Sequence, residues 1–419
     1  MTALRTPDFR RLWLAGLVSE TGDWMLMVSL PILVFQYTGS TLGTALAFLI
    51  ELAPPVLLAP LTGRIADRAD RRRTLLLVSL AQAAALAPLL LVHGRADLPI
   101  LFAVIAAQAS LAAVFQPTKS ALLPTLVGRE QLVSANSLVG LNQNVGRLAG
   151  GPLGGILLAA GGGLPAIVAL DAASFLVAFA LIARLAPSAP AAAPTHDGAP
   201  APAGWRAAVA SGRARGALAV LFTASTAQGV FVVLFVVFVA RALHGDAGEI
   251  GLLRGVQGIG AIAGGLLLAG ALRLAPGRLT VYAALAFGVL SLAIWNAPQI
   301  TTAEPLYLAL FIAAGVPGVA LMTGLVSTLQ DATAEGQRGK VFAIAGVAAS
   351  VGEATGMLAA GMLGDRLGIT AVLDAQAALY LIAGALAAAW LASVERPWSR
   401  PSSPRPRSSA PGSSATTTA

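Results

Sequence analysis

The sequence predicts an all-α integral membrane protein whose twelve transmembrane helices form two six-helix, pseudo-symmetric halves. Three observations carry that expectation. Of 419 residues, 57% are hydrophobic and only 11% charged, against about 25% charged in a soluble domain, so polar side chains are too scarce to cover a water-soluble particle. Twelve apolar stretches are each long enough for the ~20 residues that cross a bilayer as a helix. They run continuously instead of alternating with period two, which favours helices over a barrel. The loops between them alternate between rich and poor in Arg and Lys.

Taken in order, helix 1 (12–37) follows Arg5, Arg10 and Arg11 and carries Glu20 and Asp23. Helix 2 (41–63) has Glu51 near its middle and leads into Arg64, Arg68, Arg71, Arg72 and Arg73. Helices 3 (74–92) and 4 (99–116) turn around a loop with a single basic residue, Arg95. Lys119 and Arg129 precede helix 5 (137–160), which holds Arg147. Helix 6 (165–185) ends at Arg184, and Arg206, Arg213 and Arg215 precede helix 7 (216–240). Arg241 separates helix 7 from helix 8 (250–272), which carries Arg254 and, a turn on, Gln257. Arg273 and Arg278 precede helix 9 (279–297), and helix 10 (305–328) follows a loop with no basic residue. Arg338 and Lys340 precede helix 11 (341–363), which holds Glu353. Arg366 precedes helix 12 (371–394), and Arg396, Arg400, Arg405 and Arg407 lie in the tail. One side thus holds 22 of the 27 basic residues and the other holds 3. Basic loops stay on the cytoplasmic side, so both termini are expected in the cytoplasm of a multi-pass protein. Losing or adding one helix would scramble the alternation.

The same composition narrows the chemistry. Cysteine is absent and the three histidines, His93, His196 and His244, are scattered over loops, so no disulfide, thiol chemistry, metal cluster or cofactor is expected. The formal charge of +8 sits at membrane edges and does not point to nucleic acid. The first apolar stretch is too long and too acidic for a signal peptide. Abundant Ala and Arg with very little Lys suit a GC-rich bacterial genome, and hence the plasma (inner) membrane.

Organisation follows from composition. Residues 1–185 form an N-terminal six-helix bundle and 216–395 a C-terminal one. Between them, 186–215 is an Ala- and Pro-rich cytoplasmic linker that turns basic and helical at its end, reading as an interfacial helix. Residues 396–419 read as a disordered cytoplasmic tail. The halves look like copies: Gly146-Arg147-Leu148-Ala149-Gly150 matches Gly352-Glu353-Ala354-Thr355-Gly356, and Leu170-Asp171-Ala172 matches Leu373-Asp374-Ala375. Duplicated helical halves with a substrate site between them are a transporter architecture.

The loop after helix 2 reads Gly63-Arg64-Ile65-Ala66-Asp67-Arg68-Ala69-Asp70-Arg71-Arg72-Arg73. It resembles the cytoplasmic G-x-x-x-D-R-x-G-x-R/K-R/K signature of the major facilitator superfamily, with Asp70 in place of the second glycine. The stretches around helix 1, after helix 4 and entering helix 11 are similar to the exporter branch that includes the enterobactin and macrolide efflux proteins. The resemblance covers about Arg5 to Arg396. It implies a cytoplasmic gate built from Gly63, Asp67, Arg68, Arg72 and Arg73 that latches the halves against the start of helix 11. Gly63 would allow close helix approach, and Asp67 would face a helix N-terminus. Gly151, Pro152 and Gly155 of helix 5 are close to the antiporter motif of drug exporters, and read equally as small-residue helix packing.

Charges inside apolar stretches cost about 2.5–3.5 kcal/mol each on insertion scales, so they belong beside water or in pairs. Glu20 and Asp23 share a helix face. Asp23 is the first choice for a proton-coupling acid, with Glu20, Glu51 and Glu353 as further carriers and Arg147 and Arg254 as counter-charges. The rival reading for each is a static ion pair, and for Asp171 and Asp374, expected to reach water or backbone near the outer ends of their helices, a structural role is favoured. Met27, Gln108, Asn142, Gln228 and Gln257 are expected in the cavity lining, with Met25, Phe35, Phe231, Phe235, Phe311 and Asn144 available. Such a lining suits a bulky amphipathic solute better than a sugar. Trp13, Trp295 and Trp390 read as interfacial anchors. Together these features predict a monomeric, proton-coupled exporter of a drug, macrolide or siderophore. Catalysis is not expected, since no nucleophile is paired with a base, and no P-loop is present to bind ATP. A lipid or lysophospholipid transporter of the same fold, and a non-transporting receptor or scaffold, are the alternatives.

Overall fold

A computed structural model describes residues 2–160, 163–186, 212–270, 274–333 and 338–395. The linker expected over 186–215, apart from its two ends, and the tail at 396–419 lie outside the described residues. Thirteen α-helices follow one another: α1 Pro7–Thr38, α2 Thr41–Leu57, α3 Ala59–Arg68, α4 Arg71–Ala85, α5 Leu98–Leu126, α6 Leu132–Ala159, α7 Gly163–Ala183, α8 Gly212–Ala242, α9 Ala247–Gly270, α10 Pro276–Asn296, α11 Glu304–Asp331, α12 Arg338–Leu367 and α13 Ile369–Glu395. No strand occurs among the described residues.

Ten helical segments are long and apolar enough to cross a bilayer, and α2 with α3 would make an eleventh as one bent span. The sequence count of twelve also includes α6. At 28 residues it has the length to cross, but Asn136, Asn142, Gln143, Asn144, Arg147 and a row of glycines dilute its apolar content. Helix 2 was expected to run straight from 41 to 63. It instead breaks at Leu58 with a 51° bend, where Pro60 in the first turn of α3 removes a backbone donor and clashes with the preceding turn. At the other extreme, α5 runs ten residues past its expected end, straight through Pro117 to Leu126. Inside a bundle, neighbours can satisfy what a proline frees. Lys119 is therefore a buried helix residue, not part of a loop.

Packing divides the helices into two groups. α1 lies against α6 and α7, α5 against α2, α3 and α4, and α4 against α7. In the second group α8 lies against α12 and α13, α10 against α11 and α13, and α9 against α11. The groups meet chiefly where α6 packs on α9 and α2 on α12.

Glycine decides how closely these helices approach. In α6, a Cβ on Gly146 would stand 3.0 Å from the Glu20 carbonyl, and one on Gly150 would fall on the carbonyl oxygen of Thr21. In α12, Gly352 and Gly356 meet the Phe222 and Thr226 carbonyls of α8 in the same way. The repeated G-x-x-x-G pairs thus do one job twice, bringing α6 onto α1 and α12 onto α8 by direct backbone contact. Gly155 and Gly251 act similarly between the groups, against the Ala247 and Gly151 carbonyls.

The α2–α12 junction is closed at one end only. Thr41 and Ala45 touch Gly361 and Gly364. Two turns further along α2, Leu49, Leu52, Ala53, Val56 and Leu57 stand across a gap of about 240 Å³ from Ser350, Val351 and Ala354. The end that closes is the one the arginine count assigns to the outside.

Behind it sits an aromatic core. Trp295 is 2% exposed, stacks edge-on to Phe238 at 4.9 Å and donates through Nε1 to Gln376 Oε1 at 2.9 Å. It is a core residue and not an interfacial anchor, since its polar handle is satisfied inside. Trp13, whose indole reaches the Leu138 carbonyl at 2.9 Å, ties α1 to α6.

Gly356→Leu should cost on the order of 1–3 kcal/mol by overpacking, read as a lower melting temperature in detergent. Gly63→Ala, with nothing within 4 Å of the added methyl, should leave melting unchanged.

Candidate functional site

Helical spacing places Glu20, Asp23, Met27 and Leu30 of α1 along one face. With Gln108, Ala109, Ala112 and Gln116 of α5, Gln143 of α6 and Glu51 of α2 they line a cavity of about 370 Å³. Glu20 is buried and paired. Lys119 Nζ reaches Glu20 Oε1 at 3.2 Å, and Gln116 Nε2 donates to the same oxygen at 3.3 Å. Asp23 and Glu51 have neither an ion pair nor a hydrogen bond among the described residues. Gln108 lines the wall while donating to the Gln82 carbonyl at 2.9 Å.

A second cavity of about 400 Å³ lies beside the other group of helices, with Arg147, Gln228, Phe231, Arg254, Gln257, Glu353 and Tyr380 on its walls. Arg254 stands over Phe231 at 5.1 Å and over Phe235 at 5.7 Å, a favourable place for a guanidinium. It shares this cavity with Glu353, and also lines the passage toward the cavity that holds Glu51. Arg147 stacks on Trp24 at 5.9 Å and donates to Asn144 Oδ1 at 3.3 Å. The Tyr380 hydroxyl donates to Gln228 Oε1 at 3.3 Å. A narrow neck of about 20 Å³ shares Trp24 and Met27 with the first cavity and Arg254 with the second.

Several expectations are corrected here. Lys119 is the counter-charge of Glu20; Arg147 is turned into the second cavity. Asn142 does not line either cavity. It is buried and donates to the Trp13 carbonyl at 2.9 Å, holding α6 on α1. Met25 and Phe311 are core residues. Asp171 is not at an exposed end of its helix: it is fully buried against α1.

The motif loop also differs from what the resemblance implied. Gly63 has open space where a close helix was expected, and Asp67 and Arg68 are exposed. Among the described residues α3 packs chiefly on α5 and α2, and α12 chiefly on α8 and α2. Within the loop's own group, Arg72 donates to the Ala183 carbonyl at the end of α7. Asp70 accepts from the Arg73 amide at 3.0 Å. That residue caps α4 in extended backbone, with φ −63°, where a glycine is unnecessary.

A contact that sequence reasoning missed joins the groups at the closed end. Arg241 Nη1 pairs with Asp365 Oδ1 at 2.8 Å, and its Nη2 reaches the Gly39 carbonyl at 2.6 Å. Asp365 Oδ2 accepts from the amide and hydroxyl of Thr41, both at 2.9 Å. The alternating charge count had treated Arg241 and Arg366 only as markers of sidedness. Arg241 and Asp365 are 124 residues apart, and no local signal pairs them.

Two groups of membrane-length helices that meet at one end, part at the other and enclose a charged cavity define a multi-pass membrane transporter. The chain belongs to the transmembrane secretion effector family of the major facilitator superfamily, whose model matches residues 1–407. Among curated proteins it is 28% identical over 144 residues to the MFS-type transporter YfiS of Bacillus subtilis, 34% of each chain. It is 30% identical over 159 residues to the multidrug efflux pump Tap of Mycolicibacterium fortuitum, 36% of this chain and 38% of that one. The matches thus span a little over a third of these relatives. A bacterial homologue of the iron transporter ferroportin, 18% identical, superposes in its inward-facing state with a TM-score of 0.72 over 91% of this chain and 98% of that one. Its outward-facing state, 19% identical, gives 0.58 over 92% and 99%. These relatives are transporters, not enzymes.

Removing one partner of a buried ion pair costs about 3–5 kcal/mol, because the other charge is left unmatched. Glu20→Gln and Lys119→Met should therefore each lower the melting temperature sharply, and the double variant should recover most of the loss. Additive losses would show that the pair does not interact.

Proposed function

We propose that this transporter exports a bulky amphipathic solute, of the kind of a drug, macrolide or siderophore, in exchange for protons. It does so as a monomer in the bacterial plasma membrane with both termini in the cytoplasm. The working parts are two six-helix halves, 1–185 and 216–395, that rock about the cavity so that it faces each side in turn. The observation that carries the reading is the pair of unpartnered acids, Asp23 and Glu51, on the wall of a predominantly apolar cavity. Burial disfavours the charged form of a carboxyl, a nearby cation favours it, and alternating access moves a group between those conditions. Asp23 is the main proton carrier. Glu51 and Glu353 compete for Arg254, which makes that arginine the element that reports occupancy from one half to the other.

The direction of opening supports the same cycle. Arg241, Asp365, Gly39 and Thr41 hold one end shut, while α2 and α12 part at the other. The better superposition on the inward-facing ferroportin homologue agrees with a cavity open toward the cytoplasm. The multidrug efflux pump among the relatives supports export of a drug-like solute.

A lipid or lysophospholipid as substrate is the second reading, favoured by the gap between α2 and α12 beside Glu51, which is apolar except for Ser350.

Asp23→Asn should abolish export driven by a pH gradient in proteoliposomes, assayed with a panel of macrolides and siderophores, and leave insertion and melting unaltered. Full gradient-driven transport by that variant would remove Asp23 from the role. Lipid movement without movement of those solutes would select the second reading.

The closed end gives a separate expectation. The chain has no cysteine, so a single Val28→Cys reports access to the neck. Adding Asp365→Asn should raise its labelling by an impermeant thiol reagent from the outer side several-fold, and equal labelling would show that the Arg241–Asp365 contact does not hold the end shut.

A further inference from the structure

Asp171 of α7 is an intramembrane acid that the cycle above leaves unused. It is 0% exposed. The Ser174 hydroxyl donates to its Oδ1 at 3.1 Å, while its Oδ2 is buried without a hydrogen-bond partner. No Lys or Arg lies within 4 Å of it among the described residues. The carboxyl is seated against α1 at Gly22, where any Cβ would fall on Asp171 Oδ1 and on Ser174 Oγ. A glycine is needed there to admit the acid, and the next residue along α1 is Asp23.

The surroundings of Asp171 offer an anion nothing. α1 presents Asp23 and Glu20, and the nearby cation Lys119 is engaged with Glu20. The segment from Thr74 to Val92, which packs on α7 through α4 and the turn after it, has no charged residue. The basic residue of α6 is Arg147, whose guanidinium is stacked on Trp24 and bonded to Asn144. α7 itself has no other charged side chain. An ionised carboxylate with one hydrogen bond, no cation and no solvent exposure is the arrangement that buried groups avoid by neutralising. A carboxylic acid fits: Ser174 satisfies the carbonyl oxygen, and the remaining O–H is the smaller penalty.

We propose that Asp171 holds a proton in this conformation and is a second intramembrane proton-binding group of the transporter, sealed by Gly22 and uncovered when α1 shifts. The proton on Oδ2 then passes to the Asp23 carboxylate, whose cavity opens to water, and Asp171 is left as the anion until it is reprotonated. The carrier role rests on the proton-coupling reading; the protonated state of Asp171 does not.

Infrared spectroscopy of the full-length protein in liposomes at neutral pH separates the two. Read as difference spectra, so that any absorption of Asp23 or Glu51 cancels, a protonated-carboxyl C=O band is expected in the unaltered protein, lost in Asp171→Asn, kept in Asp23→Asn, and shifted to higher frequency in Ser174→Ala as its hydrogen bond disappears. Absence of the band, or its survival in Asp171→Asn, overturns the proposal. So does its removal by sodium chloride, which would mark a cation site. The Ser174→Ala shift keeps the test decisive if Asp171→Asn fails to fold. The carrier role is read from erythromycin export against pH: Asp171→Asn should shift the profile, and an unshifted profile overturns that role. Should Asp23→Asn still export in a gradient while the band behaves as expected, the coupling reading fails and the buried acid stands.

Discussion

An ionised side chain in hydrocarbon must find an opposite charge, water or a proton, because alone it costs about 2.5–3.5 kcal/mol even on insertion scales. The interior of this transporter is organised by how each acid meets that requirement. Glu20 takes the first route, with Lys119 and Gln116 on one oxygen. Asp23 and Glu51 take the second, on a cavity wall. Asp171, with neither cation nor cavity, is left with the third. The arrangement places three solutions within about one helix turn of each other on or against α1. A shift of α1 would change all of them together.

Such a shift is possible only if α1 moves with its neighbours. Gly146 and Gly150 bring α6 into backbone contact with α1, and Gly352 and Gly356 do the same for α12 on α8. Backbone contacts of this kind lack long side chains to re-rotamerise, so each pair moves as one body. The compliant places are elsewhere: the bend at Leu58, and the polar contacts between Arg241, Asp365 and Thr41. The Arg241–Asp365 pair is half-exposed, and exposed ion pairs are worth little, about 0–1 kcal/mol. A weak latch over stiff pairs is what a reversible closure needs.

Helix existence was legible in the sequence because bilayer thickness imposes one length on every span. The polar residues of α6 and the break between α2 and α3 are where that rule blurred. Proline acts in opposite directions, marking a break before Pro60 and failing to end a helix at Pro117. Whether a proline breaks a membrane helix depends on neighbours that one-dimensional reading does not see. The helix running on through Pro117 hid Lys119, and with it the partner of Glu20. Acids of the cavity could be named from their depth alone, since Glu20, Asp23 and Glu51 all line it. Residues whose meaning lies in a distant partner, such as Asn142, Trp295, Arg241 and Asp365, could not.

Asp171 and Asp374 show why an internal repeat predicts architecture better than chemistry. They occupy matching positions in α7 and α13, and a sequence reading treats them alike. Asp374 accepts from Asn296 Nδ2 at 2.8 Å, a neutral donor from α10 at the edge of the aromatic core. Asp171 has only Ser174, and its other face is pressed on a glycine of the helix that bears Asp23. Duplication preserves the spacing that puts both acids on an inward face. What each does is set by one residue across the interface: an amide that satisfies the acid in one half, and a glycine that merely makes room in the other.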